Sequence, residues 1–220
     1  MKILVAKNLN KYYGKYKAIN NINLEIYEGE FVAIVGPSGC GKSTLLKILA
    51  GLDKPDSGEV YILKENIYEL KDNELVKFRR KNIGFVYQFY NLIPVLTAKE
   101  NIVLPSLLES NSYDKKHFNN IIEVLNLEEK LNYLPNELSG GGQQRISIGR
   151  ALINKPKILF ADEPTGNLDS KAKKNIMNKL KEYNKNHKQT IIMVTHDWSL
   201  AKIADRIIFL RDGRIENASK

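Results

Sequence analysis

Eight short apolar runs punctuate the chain, at Ile3–Ala6, Ile22–Ile26, Phe31–Val35, Val60–Leu63, Ile83–Tyr87, Ile158–Ala161, Thr190–Thr195 and Arg206–Leu210. Most are rich in Val, Ile and Phe, and they predict β-strands. Between Tyr87 and Ile158 the period changes to that of helices. Thr97-Ala98-Lys99-Glu100 has the form of a capping box ahead of Ile102–Leu108. Phe118, Ile121, Ile122 and Leu125 make one stripe, and Ile176, Met177, Leu180 and Tyr183 make another behind a cap at Asp169 or Ser170. Asn111-Ser112-Tyr113-Asp114 reads as a turn between helices. Strands dominate before Tyr87 and after Ile158, and helices dominate between. The pattern predicts one α/β domain over 1–220, with a core at about 1–87 and 157–220 and a helical lobe at about 88–156. No linker, repeat or low-complexity tract divides it.

Composition narrows the class. At 220 residues and 43% hydrophobic content the chain can bury a sizeable core. No apolar run is long enough to span a bilayer, and Met1–Ala6 followed by Lys7-Asn8 lacks a signal-peptide core, so a soluble, cytoplasmic protein is expected. The single cysteine, Cys40, has no internal disulfide partner. The net charge of +9 is spread widely, with mild clusters at Lys171-Lys173-Lys174 and Arg79-Arg80-Lys81. With no basic stripe interleaved with aromatics, a solvated surface is the favoured reading and nucleic-acid binding is not expected.

The densest chemistry lies at Gly36-Pro37-Ser38-Gly39-Cys40-Gly41-Lys42-Ser43-Thr44, which fits G-x-x-x-x-G-K-[ST] in full. The apolar run Phe31–Val35 precedes it, and Leu45–Ala50 follows as a helix closed by Gly51. In that strand–loop–helix setting, backbone N–H groups curl around one concavity at a helix N-terminus, which suits a nucleoside triphosphate. Lys42 is placed to reach the β- and γ-phosphates, and the Ser43 hydroxyl to complete a Mg²⁺ shell. Cys40, close to Lys42 and a helix start, is expected to have a lowered thiol pKa; a buried, inert thiol is the alternative.

Two further segments specify the machine. Ile158–Ala161 ends in Asp162-Glu163. A strand tip there puts Asp162 by the metal and Glu163 by an attacking water as general base. Leu138-Ser139-Gly140-Gly141-Gly142-Gln143-Gln144-Arg145 offers a Ser139 cap and glycine amides at the start of a second helix. One chain therefore carries two phosphate sites, at 36–43 and 139–142.

These motifs resemble the ATP-binding cassette family over nearly the whole chain, which implies a P-loop, RecA-like α/β core with an antiparallel β region and an inserted α-helical subdomain. The signature LSGGQ is present as LSGGG, with Gly142 at the glutamine position. In that family the signature of one subunit faces the phosphate loop of another, so ATP joins two head-to-tail protomers. The resemblance makes Gln88 in Phe85-Val86-Tyr87-Gln88 the Mg²⁺- and partner-sensing glutamine. It makes Asn167-Leu168-Asp169 the D-loop, His196 the γ-phosphate switch and Tyr13 the adenine-stacking aromatic, with Tyr12 and Tyr16 nearby. His117 and His187 read as surface.

Glu163-Pro164-Thr165-Gly166-Asn167-Leu168-Asp169, Asn91–Pro94 and Glu100–Pro105 resemble the lipoprotein-release, macrolide-export and antimicrobial-peptide-resistance branch. That implies a peripheral subunit on the cytoplasmic face of the membrane, docked on a separate permease. Phe89, Tyr90, Leu92 and Ile93 are the candidate exposed docking residues, or equally lobe core. A retuned rather than dead closed dimer is expected from Gly142. Cell-division ATPases are close relatives, and a non-hydrolysing scaffold is the alternative that intact Glu163 and His196 oppose. DNA-repair ATPases of similar motif need a long coiled coil, for which no heptads are present.

Overall fold

The computed structural model describes residues 1–166 and 168–216. Two sheets pack on either side of one short helix. A four-stranded antiparallel sheet runs in the order β2-β1-β4-β5, with β1 at Lys2–Tyr13, β2 at Tyr16–Tyr27, β4 at Ser57–Ile62 and β5 at Glu65–Asn66. A six-stranded sheet runs β10-β9-β3-β8-β7-β6. Its strands are β3 (Phe31–Val35), β6 (Ile83–Val86), β7 (Ile158–Asp162), β8 (Thr190–Thr195), β9 (Arg206–Arg211) and β10 (Arg214–Glu216). Every pairing in it is parallel except β9 with β10.

The apolar runs of the inner strands are continuous because both faces are covered. Phe31, Ala33 and Val35 of β3 point into one core, together with Leu159, Ala161, Ile191 and Met193. Val32 and Ile34 point into the other, with Ile158, Phe160, Ile192 and Val194. The second core is closed by α1 (Lys42–Leu49), whose Leu45, Leu46, Ile48 and Leu49 are fully buried against the antiparallel sheet. The first is covered by α3 (Ala98–Ser110), α4 (Lys115–Leu125), α5 (Gly140–Leu152) and α6 (Ser170–His187), with α4 and α6 packing through the stripes legible in the sequence. The helices α2 (Asp72–Asn82) and α7 (Trp198–Ala201) complete the set.

Two expectations need correction, and one helix went unread. β1 and β2 are each 12 residues long, far longer than the runs Ile3–Ala6 and Ile22–Ile26. Their outer halves are polar, and the β1–β2 register shifts repeatedly, which breaks the alternation that marks a strand. α2 leaves only Leu75 and Phe78 packed on the core, so its sequence carries no stripe. His117 is not a surface residue: its Nε2 lies 3.0 Å from the Leu152 carbonyl oxygen, and burial lowers its pKa.

Candidate nucleotide-binding site

Parallel strands present ligands at their carboxyl ends. Here the ends of β3, β7 and β8 lead into the loop 36–41, the pair Asp162-Glu163 and His196 respectively. The adjoining cleft, of about 650 Å³, is lined by Ser38, Gly39, Gly41, Lys42, Ser43, Thr44, Gln88, Glu163 and His196, with Tyr13, Tyr16 and Ala18 from the β1–β2 hairpin. Gly41 has φ 100°, and a side chain there or at Gly36 would collide with the Ala18 or Leu210 carbonyl. The loop therefore owes its path to glycine.

Thr97, Asp114, Ser139 and Asp169 each cap their helix with a side-chain oxygen, whereas no side chain caps α1. Its first N–H groups and the positive end of its dipole are left for an anion. Lys42 is only 6% exposed and donates to the carbonyl oxygens of Gly36 (2.9 Å) and Pro37 (2.7 Å). Loop carbonyls thus hold its ammonium within the loop.

The Ser43 hydroxyl donates to Asp162 Oδ1 at 2.8 Å. Burial raises the Asp162 pKa, against the opposing pull of Ser43, Lys47 and Lys42. A buried carboxylate beside a hydroxyl, both hard oxygen donors, suits Mg²⁺. His196 Nδ1 stands 3.0 Å from Glu163 Oε1. Glu163 itself sits at φ 43°, outside the usual region for a non-glycine residue. Gln88 and Glu163 converge over Gly166, where a Cβ would lie 3.4 Å from Gln88 Nε2 and 3.5 Å from Glu163 Oε2.

The second candidate phosphate site lies elsewhere. Ser139 Oγ accepts from the Gly142 N–H at 3.2 Å, and Ser139, Gly140, Gly141 and Asp169 line a separate cleft with Arg145 and Lys171. None of these residues borders the first cleft. A Cβ at Gly142 would come 3.3 Å from Leu138 Cβ, so the position has room for little more than a small adjustment. Leu168 and Asp169, assigned to the D-loop by resemblance, border this second cleft, and Asp169 rather than Ser170 caps α6; Asn167 lies outside the described residues.

Several side chains depart from expectation. Cys40 is 5% exposed and packs into the core beneath the loop. Burial raises its pKa more than Lys42 lowers it, so the reactive-thiol reading is overturned. Only its backbone is available to a ligand. Of the docking candidates, Phe89 (68%) and Ile93 (37%) are exposed, but Leu92 packs against the core and Tyr90 abuts Gly140. Sequence reasoning also passed over Tyr16, whose hydroxyl donates to the Gly39 carbonyl at 2.7 Å, and Arg150, which donates to the carbonyls of Tyr90 and Asn91. The Tyr16 signal was present in its hairpin position beside Tyr13; Arg150 has none.

This fold and these paired clefts define an ATP-binding cassette. The family model for ABC transporters matches residues 19–166, and the chain belongs to that family. It is 52% identical over 219 residues to an ABC transporter ATP-binding protein of Methanocaldococcus jannaschii, with 97% of each chain covered. It is 43% identical to the lipoprotein-releasing system ATP-binding protein LolD of Bacteroides fragilis, over 95% of this chain and 98% of the relative. The dimeric cassette MJ0796 of Methanocaldococcus jannaschii superposes with a TM-score of 0.90 at 47% identity, covering 99% and 98% of the two chains. A post-hydrolysis dimer of the same cassette, bound to ADP and Pi, gives 0.89. The chain is thus the ATP-hydrolysing subunit of an ABC transporter, of the branch that includes LolD.

Proposed function

We propose that this subunit binds Mg-ATP in the Lys42 cleft, closes head-to-tail on a second copy through the Ser139 cleft, and drives a permease that exports or extracts a peptide, lipoprotein or hydrophobic compound. The observation that carries this reading is the separation of the two phosphate sites on one chain. A nucleotide in the first cleft meets the second only if another protomer supplies it. The homodimer is the natural state for two such surfaces, and the dimeric MJ0796 structures support it.

The residues divide the work as follows. The loop from Gly36 to Thr44 and the uncapped start of α1 hold the phosphates. On arrival of the γ-phosphate, Lys42 exchanges the Gly36 and Pro37 carbonyls for phosphate oxygens. Ser43, Asp162 and Gln88 are the residues that would hold Mg²⁺, which when bound neutralises phosphate charge. Glu163 accepts the proton of the attacking water, and His196, already at its carboxylate, orients it. Tyr13 stacks on the base, a contact typically worth about 1–3 kcal/mol. Ser139 and the amides of Gly140 and Gly141 meet the γ-phosphate from across the dimer.

No helix among the described residues is long and apolar enough to cross a membrane, so membrane attachment runs through the permease on the cytoplasmic face. Its docking groove is the apolar cleft formed by Phe85, Tyr87, Leu104, Pro105 and Leu108, next to exposed Phe89. The core at about 1–87 and 157–220 and the lobe at about 88–156 then meet at the Gln88 segment, beside this groove. Turnover assays test the reading. Wild-type protein releases phosphate from Mg-ATP and Lys42→Ala does not, whereas ATP binding without phosphate release, even with the permease present, would favour a scaffold.

A further inference from the structure

The base-stacking aromatic and the phosphate loop come from different sheets, and one carboxylate joins them. Tyr13 ends β1 and is 49% exposed, a place where an aromatic ring would sample several rotamers. Its hydroxyl donates to Asp53 Oδ2 at 2.7 Å. The other carboxylate oxygen, Oδ1, accepts from Lys11 Nζ at 2.9 Å, in an ion pair whose side chains are 13% and 28% exposed. Lys11 also donates to the Lys54 carbonyl and lies over the Tyr13 ring, 5.4 Å from its centroid.

Asp53 is itself fastened to the far end of α1. The Leu52 and Asp53 N–H groups both donate to the Lys47 carbonyl, at 2.8 and 3.3 Å. The half-buried Tyr68 hydroxyl sits between the carbonyls of Ile48 and Asp53. α1 begins at Lys42 and Ser43, so a single rigid helix separates the phosphate-binding residues from the anchor of Tyr13. Asp53 does not line the nucleotide cleft. Burial works against its charge, but hydrogen bonds from Tyr13 and Lys11 outweigh that and lower its pKa, so the acceptor stays ionised.

We infer that Asp53, supported by Lys11, is a positioning residue that locks the Tyr13 ring at a set distance from the phosphate loop and thereby tightens nucleotide binding without touching nucleotide. The inference rests on the assignment of Tyr13 as the base-stacking residue. Its physical basis is preorganisation: a ring already held in place has less freedom to lose when the base arrives. Tyr16 lacks this brace, since its hydroxyl is spent on the Gly39 carbonyl of the phosphate loop itself.

The test is a double-mutant cycle on the full chain, with ADP affinity read by calorimetry so that neither hydrolysis nor dimer closure intervenes. Asp53→Ala and Tyr13→Phe should each weaken ADP binding by about 3- to 10-fold, the range expected for freezing one side chain. Asp53→Asn, which keeps an acceptor for the hydroxyl, should recover most of the loss. For Asp53→Ala, the Michaelis constant for ATP should rise while turnover at saturating ATP stays within about twofold, because ground-state binding alone is touched. In a Tyr13→Ala background, Asp53→Ala should add nothing. If Asp53→Ala costs the same factor in that background, its role is general structure and the inference is overturned. If Tyr13→Ala weakens ADP binding and Asp53→Ala does not, the inference alone fails. If Tyr13→Ala has no effect, the base-stacking assignment falls and the inference with it.

Discussion

Asp162 is a buried carboxylate whose hydrogen-bond partner is a hydroxyl rather than a cation. Its folded pKa lies above its unfolded value, so the native state binds a proton more readily than the unfolded chain. Stability of the nucleotide-free protein therefore falls as pH rises from the unfolded pKa through the folded one, and the full cost is present above the folded pKa. Asp162→Asn removes that cost. It should raise the melting temperature of the nucleotide-free protein at pH 7, on the order of 2–4 °C for each kcal/mol recovered, and abolish the further rise that Mg-ATP gives the wild type. A lower melting point without nucleotide would contradict the account. Cys40 makes the complementary case. Its thiol should react with maleimide slowly in the native protein and fast after unfolding, and Mg-ATP should change the native rate little; rapid native labelling would contradict its burial. Backbone motifs were readable at this scale because glycine spacing and the Lys-Ser pair report the loop's path directly. The direction of the Cys40 side chain was not, because it depends on Gly213 and the core behind the loop, which are distant in sequence.

At the scale of elements, α5 is the unusual one. Its first turn is Gly140-Gly141-Gly142, three residues that each weaken a helix by about 1 kcal/mol relative to alanine. Ser139 offsets part of this with its bond to the Gly142 N–H. The three positions are not equivalent: a Cβ at Gly140 would meet the Tyr90 hydroxyl at 2.8 Å, whereas one at Gly141 would meet only Ala172 Cβ at 3.5 Å. Gly142→Gln restores helix propensity and the missing side chain, at the cost of a small shift of Leu138. It should slow amide exchange in residues 140–144 and lower the ATP concentration needed for dimer formation, measured by hydrogen exchange and light scattering. Unchanged exchange and dimerisation would mean that Gly142 is no deficit.

The docking surface belongs to this scale as well. Leu108 is 65% exposed beside the apolar groove, and Leu108→Asp should uncouple the permease in pull-down while leaving ATP affinity of the isolated subunit within about twofold. Undiminished pull-down would remove the groove from the interface. Elements buried on both faces, such as β3, β7 and β8, were legible as continuous apolar runs. α4 and α6 were legible as stripes, and α3 and α5 by the caps at Thr97 and Ser139. The long outer strands and α2 were not, because bulges and a largely solvated helix leave no period to read.

For the whole molecule, the central claim is that one chain holds two half-sites. The phosphate loop with Asp162 and Glu163 opens on one cleft, and Ser139 with Asp169 on another, and the two share no lining residue. Both half-sites were legible in the sequence as motifs, but their separation in space was a consequence of the sheet order, which no local pattern records. Gel filtration with light scattering on Glu163→Gln tests this most directly, because the variant should bind Mg-ATP and hydrolyse it very slowly. The account predicts a dimer with saturating Mg-ATP, monomer without nucleotide, and loss of the dimer with retained ATP binding when Ser139→Arg is added. A Glu163→Gln protein that binds Mg-ATP yet stays monomeric over a wide range of protein concentration would contradict it.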